Sequence, residues 1–220
     1  MIKLIFKGVG RLALAGAILL SGLMVCIHVP QVTDMLSRMT SHASIAGVDV
    51  DTIAKASVAS RDFSMGLIGI EGLKSTFATL GIPTDALDTS MLTHLQDCTW
   101  VFQLVTNVFL ALAAAGLVFA ILAAVFGGRN GLARMLRHSA ILALVILAVF
   151  AIWVTIGFDS FFTWMHSLFF ANGTWTFDAN SFLISMYPEN FWLGMGVVWA
   201  LTTIIVAIVV IGVSQIVKKH

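Results

Sequence analysis

The stretch TWVFQLVTNVFLALAAAGLVFAILAAVF, residues 99–126, holds no Asp, Glu, Lys or Arg. A helix rises about 1.5 Å per residue and a bilayer core is about 30 Å thick, so roughly 20 such residues suffice to cross it. Inside hydrocarbon a backbone satisfies its own polar groups only as a helix or a closed barrel, and an unbroken apolar run of this length specifies the helix.

Three further stretches share this property: residues 12–29, 139–157 and 191–217, with Pro30 just beyond the first. The chain of 220 residues is 59% hydrophobic and only 10% charged, with a mean hydropathy of +1.00, well outside the range of soluble domains. The fold expected is all-α: a single integral membrane domain over residues 1–220, polytopic with four transmembrane helices, carrying a small helical extracytoplasmic domain. The first stretch follows Lys3, Lys7 and Arg11 as a signal peptide would, but Leu23-Met24-Val25-Cys26 lacks the small residues of a cleavage site, so it reads as an uncleaved anchor.

Charge sets the expected orientation. With both termini in the cytoplasm, Lys3, Lys7, Arg11, Arg129, Arg134, Arg137, Lys218 and Lys219 lie inside, while the other four basic residues and all eleven acids lie outside. That is +8 against −7, in the sense of the Lys/Arg bias. The outer segments are then residues 30–98 and 158–190, and the inner side receives a tight loop over residues 127–138. The basic residues are scattered and topogenic, with no nucleic-acid signature. None of the four cores carries an ionisable side chain, which argues against ion or proton transport.

Within the first outer segment, Ile70, Leu73, Phe77 and Leu80 recur at helical spacing and end at Gly81 and Pro83. Asp88, Thr89 or Ser90 can cap a helix that carries His94 and Asp97 into the second span. In the second, Asp159, Phe162, His166, Phe169 and Phe170 share a helical face that prolongs the third span, and Asn172-Gly173 is a turn signal. Tyr187, Pro188, Phe191 and Trp192 resemble an interfacial aromatic belt. His94 and His166 thus come from different segments and are expected at similar depth.

Two such imidazoles admit several chemistries. Each can simply cap or snorkel at a helix end, as in a non-enzymatic membrane scaffold. His94, Asp97 and His166 also fit a two-His, one-carboxylate set, as in a metal-dependent membrane hydrolase, although no H-x-x-x-H or C-x-x-C motif supports a metal. No G-x-S-x-G or S-x-x-K frame is present for a serine nucleophile. Cys26 and Cys98 read as free thiols without a catalytic role, although an oxidising exterior permits a disulfide.

The pieces HLQD (94–97), MHSLFF (165–170), GTWTFD (173–178) and YPENFW (187–192) resemble the lipoprotein intramolecular transacylase (Lit) family of bacterial four-span membrane proteins. Cys98 stands where a valine is expected. The resemblance implies a cofactor-free acyltransferase of the bacterial cytoplasmic membrane, acting on diacylglyceryl-modified lipoproteins and membrane lipid at the outer leaflet. It moves the sn-2 acyl chain to the N-terminal α-amine and leaves a lyso-form lipoprotein.

The family's paired histidines map to His94 and His166. One is expected as general base and the other, protonated, as oxyanion donor or acid, with Asp97 or Asp178 orienting an imidazole. Phe162, Phe169, Phe170, Trp175 and Trp192 are expected to line an acyl slot.

Overall fold

The computed structural model describes residues 2–171 and 173–219, with side-chain surroundings for these except residues 2–7 and Thr84. Asn172, half of the expected turn signal, lies outside the described residues. The described chain is helical, without strands: α1 (Ile2–His28), α2 (Pro30–Thr40), α3 (Ala43–Ala46), α4 (Val50–Ser64), α5 (Ile70–Thr79), α6 (Thr89–Ile156), α7 (Phe158–Phe169), α8 (Phe182–Met186) and α9 (Glu189–Lys219). Among the described residues, three helices are long and apolar enough to cross a membrane, within Gly8–His28, Thr89–Ile156 and Glu189–Lys219.

The 68-residue α6 contains two of the expected spans and is not one rod. Gly128 has φ 60° and ψ −165°, a conformation open to glycine and strained for other residues. A Cβ on Gly131 would lie 2.6 Å from the Ala123 carbonyl, a contact that eight residues of straight helix, about 12 Å long, forbid. The chain therefore reverses at Gly128. The inner loop expected over residues 127–138 shrinks to this turn, because helical geometry resumes at Arg129. Good helix formers there, Leu132, Ala133, Met135 and Leu136, favour the helix over a loop.

The chain forms two compact units. One comprises residues 1–25, 105–158 and 198–220; the other, residues 26–104 and 159–197. In the first, small residues set the spacing of the helices. Ala15, Ile18, Ala140, Ala143 and Ala207 form its buried core. Gly10 and Gly16 receive the side chains of Phe119 and Leu112, so α1 runs antiparallel to the first half of α6. At Gly22 the approach is closest: an added Cβ would meet the Trp199 carbonyl at 2.4 Å and Thr203 Oγ1 at 2.8 Å. That closeness lets Trp199 Nε1 donate to the Leu19 carbonyl at 2.8 Å, tying α9 to α1.

The second unit is built around Ile53, Leu73, Phe77, Met91, Leu95, Leu183 and Met186, all buried. The amphipathic reading of residues 70–80 is α5, with Leu73 and Phe77 inward; Ile70 instead stays exposed. Asp88 caps α6, its Oδ1 accepting from Met91 N at 2.7 Å. Arg61, 7% exposed, donates from Nε and one Nη to the Ile27 carbonyl at the end of α1 and pairs with Asp62.

Two local readings are corrected here. α7 is a separate helix after a break at Gly157, rather than a prolongation of the third span. Tyr187, Pro188, Phe191 and Trp192 do not form a lipid-facing belt. The Tyr187 hydroxyl donates to the Ser57 carbonyl at 2.5 Å, and Phe191 is 1% exposed. An unpaired buried phenol is costly, so the hydroxyl fixes the ring inside the unit, where the carbonyl lies.

Replacing Gly22 with Val drives three extra carbons into the α1–α9 contact. We expect a loss of about 1–3 kcal/mol, read as a lower thermal unfolding midpoint in detergent, with Gly8→Val, which meets nothing, as the neutral control. Equal midpoints for the two variants would show that the α1–α9 approach does not limit stability.

Candidate active site

His94 lies in the second turn of α6, between Met91 and Leu95, which are 2% and 4% exposed. Burying those two neighbours fixes the rotation of the helix, and His94 is held half-buried beside them. His166 sits near the end of α7 and is 5% exposed. The rings of His94 and His166 stack with centroids 6.3 Å apart and planes 20° from parallel. The expected meeting of the two histidines is thus present in the structure.

Aromatic rings enclose the pair. Phe162 and Trp175 lie 3.9 and 4.9 Å from His166, and Phe177 lies 5.3 Å from His94. Phe170 touches both imidazoles, at 4.9 and 5.4 Å. Trp192 reaches the cluster through Phe162, at 5.9 Å, and donates its Nε1–H to the Tyr187 carbonyl at 3.1 Å. Of the five residues expected to line an acyl slot, Phe162, Phe170, Trp175 and Trp192 meet here; Phe169 is not among the rings that touch either histidine. Phe177 was not singled out from the sequence, because its alternation with Trp175 gives a direction but no partner.

Hydrogen bonds orient each ring differently. His166 Nδ1 lies 2.9 Å from the Phe162 carbonyl, which can only accept, so Nδ1 carries the hydrogen and Nε2 keeps its lone pair. Cys98 Sγ lies 3.7 Å from His94 Nε2, one helical turn on. His94 Nδ1 is buried and has no hydrogen-bond partner, and neither has Trp175 Nε1. Each such orphan group costs on the order of 1–3 kcal/mol, which a bound oxygen would relieve.

The carboxylates expected to orient the imidazoles do neither job by hydrogen bonding. Asp97 is exposed, and the exposed Asp178 spends its Oδ1 on Asn180 N at 2.8 Å, closing a turn. A backbone carbonyl and a thiol take their places, and neither is visible as a titratable pattern in sequence. Cys26 and Cys98 are both free. Cys98 therefore touches the site.

Both histidines stand outside the apolar stretches, and both are held neutral. Burial, then the neighbouring His166, pushes His94 down to about 4, outweighing the opposing charge of Asp97. Burial also lowers His166, against the Phe162 carbonyl bond that supports its charged form. Both shifts favour the uncharged imidazole over the protonated form expected of one donor. Among the described residues, no group of three His, Cys, Asp or Glu side chains is arranged to hold a metal ion, so His94, Asp97 and His166 do not make a ligand set.

Comparison with known proteins gives a consistent picture. The family model "Lipoprotein intramolecular transacylase Lit" matches residues 73–192, which include both histidines and the rings around them. A structure of the membrane integral lipoprotein intramolecular transacylase Lit from Bacillus cereus, solved in meso, superposes with a TM-score of 0.80 at 18% identity, covering 98% of this chain and 95% of that one. Two forms of that protein with one histidine replaced, by arginine and by alanine, superpose with TM-scores of 0.77 at 18% identity, covering 98% of this chain and 91% and 93% of theirs. No curated protein sequence matches. At 18% identity the superpositions show the fold, and the family match over more than half of the chain shows the kinship: this chain belongs to the lipoprotein intramolecular transacylase Lit family, a family of acyltransferases.

Proposed function

We propose that this chain moves the sn-2 acyl chain of a diacylglyceryl-modified lipoprotein cysteine onto that cysteine's own α-amine, giving the lyso-form. The observation that carries this reading is the stacked, neutral His94–His166 pair inside an aromatic enclosure, in a chain of the Lit family. The protein crosses the membrane four times with both termini inside, α6 crossing twice around Gly128. Its site lies on the extracytoplasmic side, where lipoprotein N-termini reside.

The roles follow from the ring orientations. His166, with Nε2 unprotonated and Nδ1 tied to the Phe162 carbonyl, is the base. His94, with Cys98 donating to Nε2, presents Nδ1–H, and the buried Trp175 Nε1–H supplies a second donor.

The substrate's α-ammonium, with pKa near ~8, first loses one proton to solvent. The neutral amine attacks the ester carbonyl, and His166 takes the second proton as the C–N bond forms. Negative charge on the carbonyl oxygen is met by His94 and Trp175. The C–O bond to the glycerol sn-2 oxygen then breaks, and His166 returns its proton to that oxygen. The products are an amide and a free hydroxyl.

Amine and ester belong to one molecule, so no enzyme nucleophile is needed and orientation supplies much of the acceleration. Phe162, Phe170 and Trp192 hold the acyl chain and exclude water, which would otherwise hydrolyse the ester.

The direct test is mass spectrometry of N-terminal lipopeptides from a host whose lipoproteins keep a free α-amine. N-acyl, monoacylglyceryl cysteine is expected with this chain and is lost with His94→Ala and His166→Ala. Unchanged diacylglyceryl peptides despite good membrane expression would overturn the transacylase reading.

Side-chain amides separate the roles, since Gln keeps an N–H donor but no base. His94→Gln should retain at least roughly tenfold more turnover than His166→Gln. Trp175→Phe, which keeps the ring but removes the donor, should lower the rate on the order of 10²-fold. The reverse order for the two Gln variants would exchange the histidines' roles.

The pH dependence follows from the lowered imidazole values. Burial lowers both imidazoles and so favours the neutral base, and the rate should rise between pH 6.5 and 7.5 with a slope of one as the substrate amine deprotonates. The His94 and His166 ¹³Cε1 resonances should titrate below the ordinary imidazole range. An imidazole inflection near 6.5 in either measurement would contradict the burial assigned to the pair.

A further inference from the structure

The helical unit of residues 1–25, 105–158 and 198–220 contains no Asp and no Glu; all eleven acids of the chain lie elsewhere. Its basic side chains therefore have no carboxylate side chain within the unit to pair with, and no ion pair among the described residues involves them. Three converge on one place. Ala15 and Ile18 of α1 pack with Ala140 and Ala143 of α6, which sets Arg11, one turn before Ala15, beside the turn that bears Arg134, Arg137 and His138. The positive charges of Arg11, Arg137 and Arg134 all act on His138.

Like charges gathered from two helices repel unless an anion lies among them. Arg11 Nε is moreover buried without any hydrogen-bond partner, so this cluster holds a donor with nothing to accept from it. A guanidinium presents paired N–H groups that match phosphate oxygens two at a time.

We propose that Arg11, Arg134 and Arg137 bind the phosphate of an anionic phospholipid, in the leaflet that meets this end of the helical unit. The neighbouring apolar faces of α1 and α6 take its acyl chains, which separates a phospholipid from a free phosphate ion. This site is independent of the histidine pair and of the acyl-transfer reading.

The test titrates the full-length protein in dodecyl maltoside with dioleoylphosphatidylglycerol, dioleoylphosphatidylcholine or inorganic phosphate, counting bound molecules by native mass spectrometry. Phosphatidylglycerol should bind roughly tenfold or more tightly than phosphatidylcholine, and this preference should fall about tenfold in Arg11→Gln and in Arg134→Gln. Arg129→Gln removes the same charge outside the cluster and should change it by less than about twofold. Arg134 is exposed, so its variant carries the comparison even where Arg11→Gln fails to fold. Equal binding of the two lipids, equal loss with Arg129→Gln, or inorganic phosphate competing at the lipid's own affinity would each overturn the proposal.

Discussion

The rotation of the first turns of α6 is the constraint on which the site depends. Asp88 fixes where the helix starts, and Met91 and Leu95 fix which side faces the core. With those settled, 3.6 residues per turn leave His94 and Cys98 stacked one turn apart at the edge of that core, facing α7. The same apolar burial that stabilises the unit therefore sets the imidazole's direction. It also removes the imidazole from water, which is what keeps it neutral. Stability and reactivity share one cause here rather than being tuned separately.

An aromatic enclosure suits acyl transfer between two groups of one substrate. Water is both the competing nucleophile and the medium that weakens every hydrogen bond to a developing oxyanion. Phe162, Phe170, Phe177 and Trp175 surround the histidines while leaving two buried nitrogens, His94 Nδ1 and Trp175 Nε1, without internal partners. A wholly satisfied cluster would be more stable and would have nothing to offer an incoming carbonyl oxygen.

The parts of this arrangement legible in the sequence are those written in short-range pattern. Apolar runs mark the long helices, the Asp88 cap marks the start of α6, and the spacing of Leu73 and Phe77 marks α5. The pairing of His94 with His166 was legible only through family resemblance, since 72 positions of chain carry no local signal of contact. The reversal near residue 128 was legible but its loop was drawn too long, because one glycine with positive φ does the work of a loop, while the residues after it are ordinary helix formers. Tyr187 and Phe191 were misplaced because an amphipathic ring near a helix end has the same composition whether it faces lipid or a carbonyl such as that of Ser57. The orienting groups were missed for a related reason: backbone carbonyls are absent from any list of side chains, and a buried thiol looks inert until its neighbour is known.

The distribution of charge joins these observations. All five ion pairs among the described residues lie within residues 26–104, and three of them join the exposed side chains of Asp34, Arg38, Asp51 and Lys55, where they contribute little to stability. Arg61 differs: it is buried, and it turns two donors onto the Ile27 carbonyl at the end of α1. Burial would make an unpaired guanidinium costly, so its pairing with both Asp62 and the helix end is what makes the position tolerable. Among the described residues no carboxylate hydrogen-bonds either imidazole, and a fixed anion there would raise both and favour the charged forms. Keeping carboxylates out of hydrogen-bond reach of the rings, although the acids share their unit, is therefore a condition for the neutral pair, as much as the aromatic enclosure is.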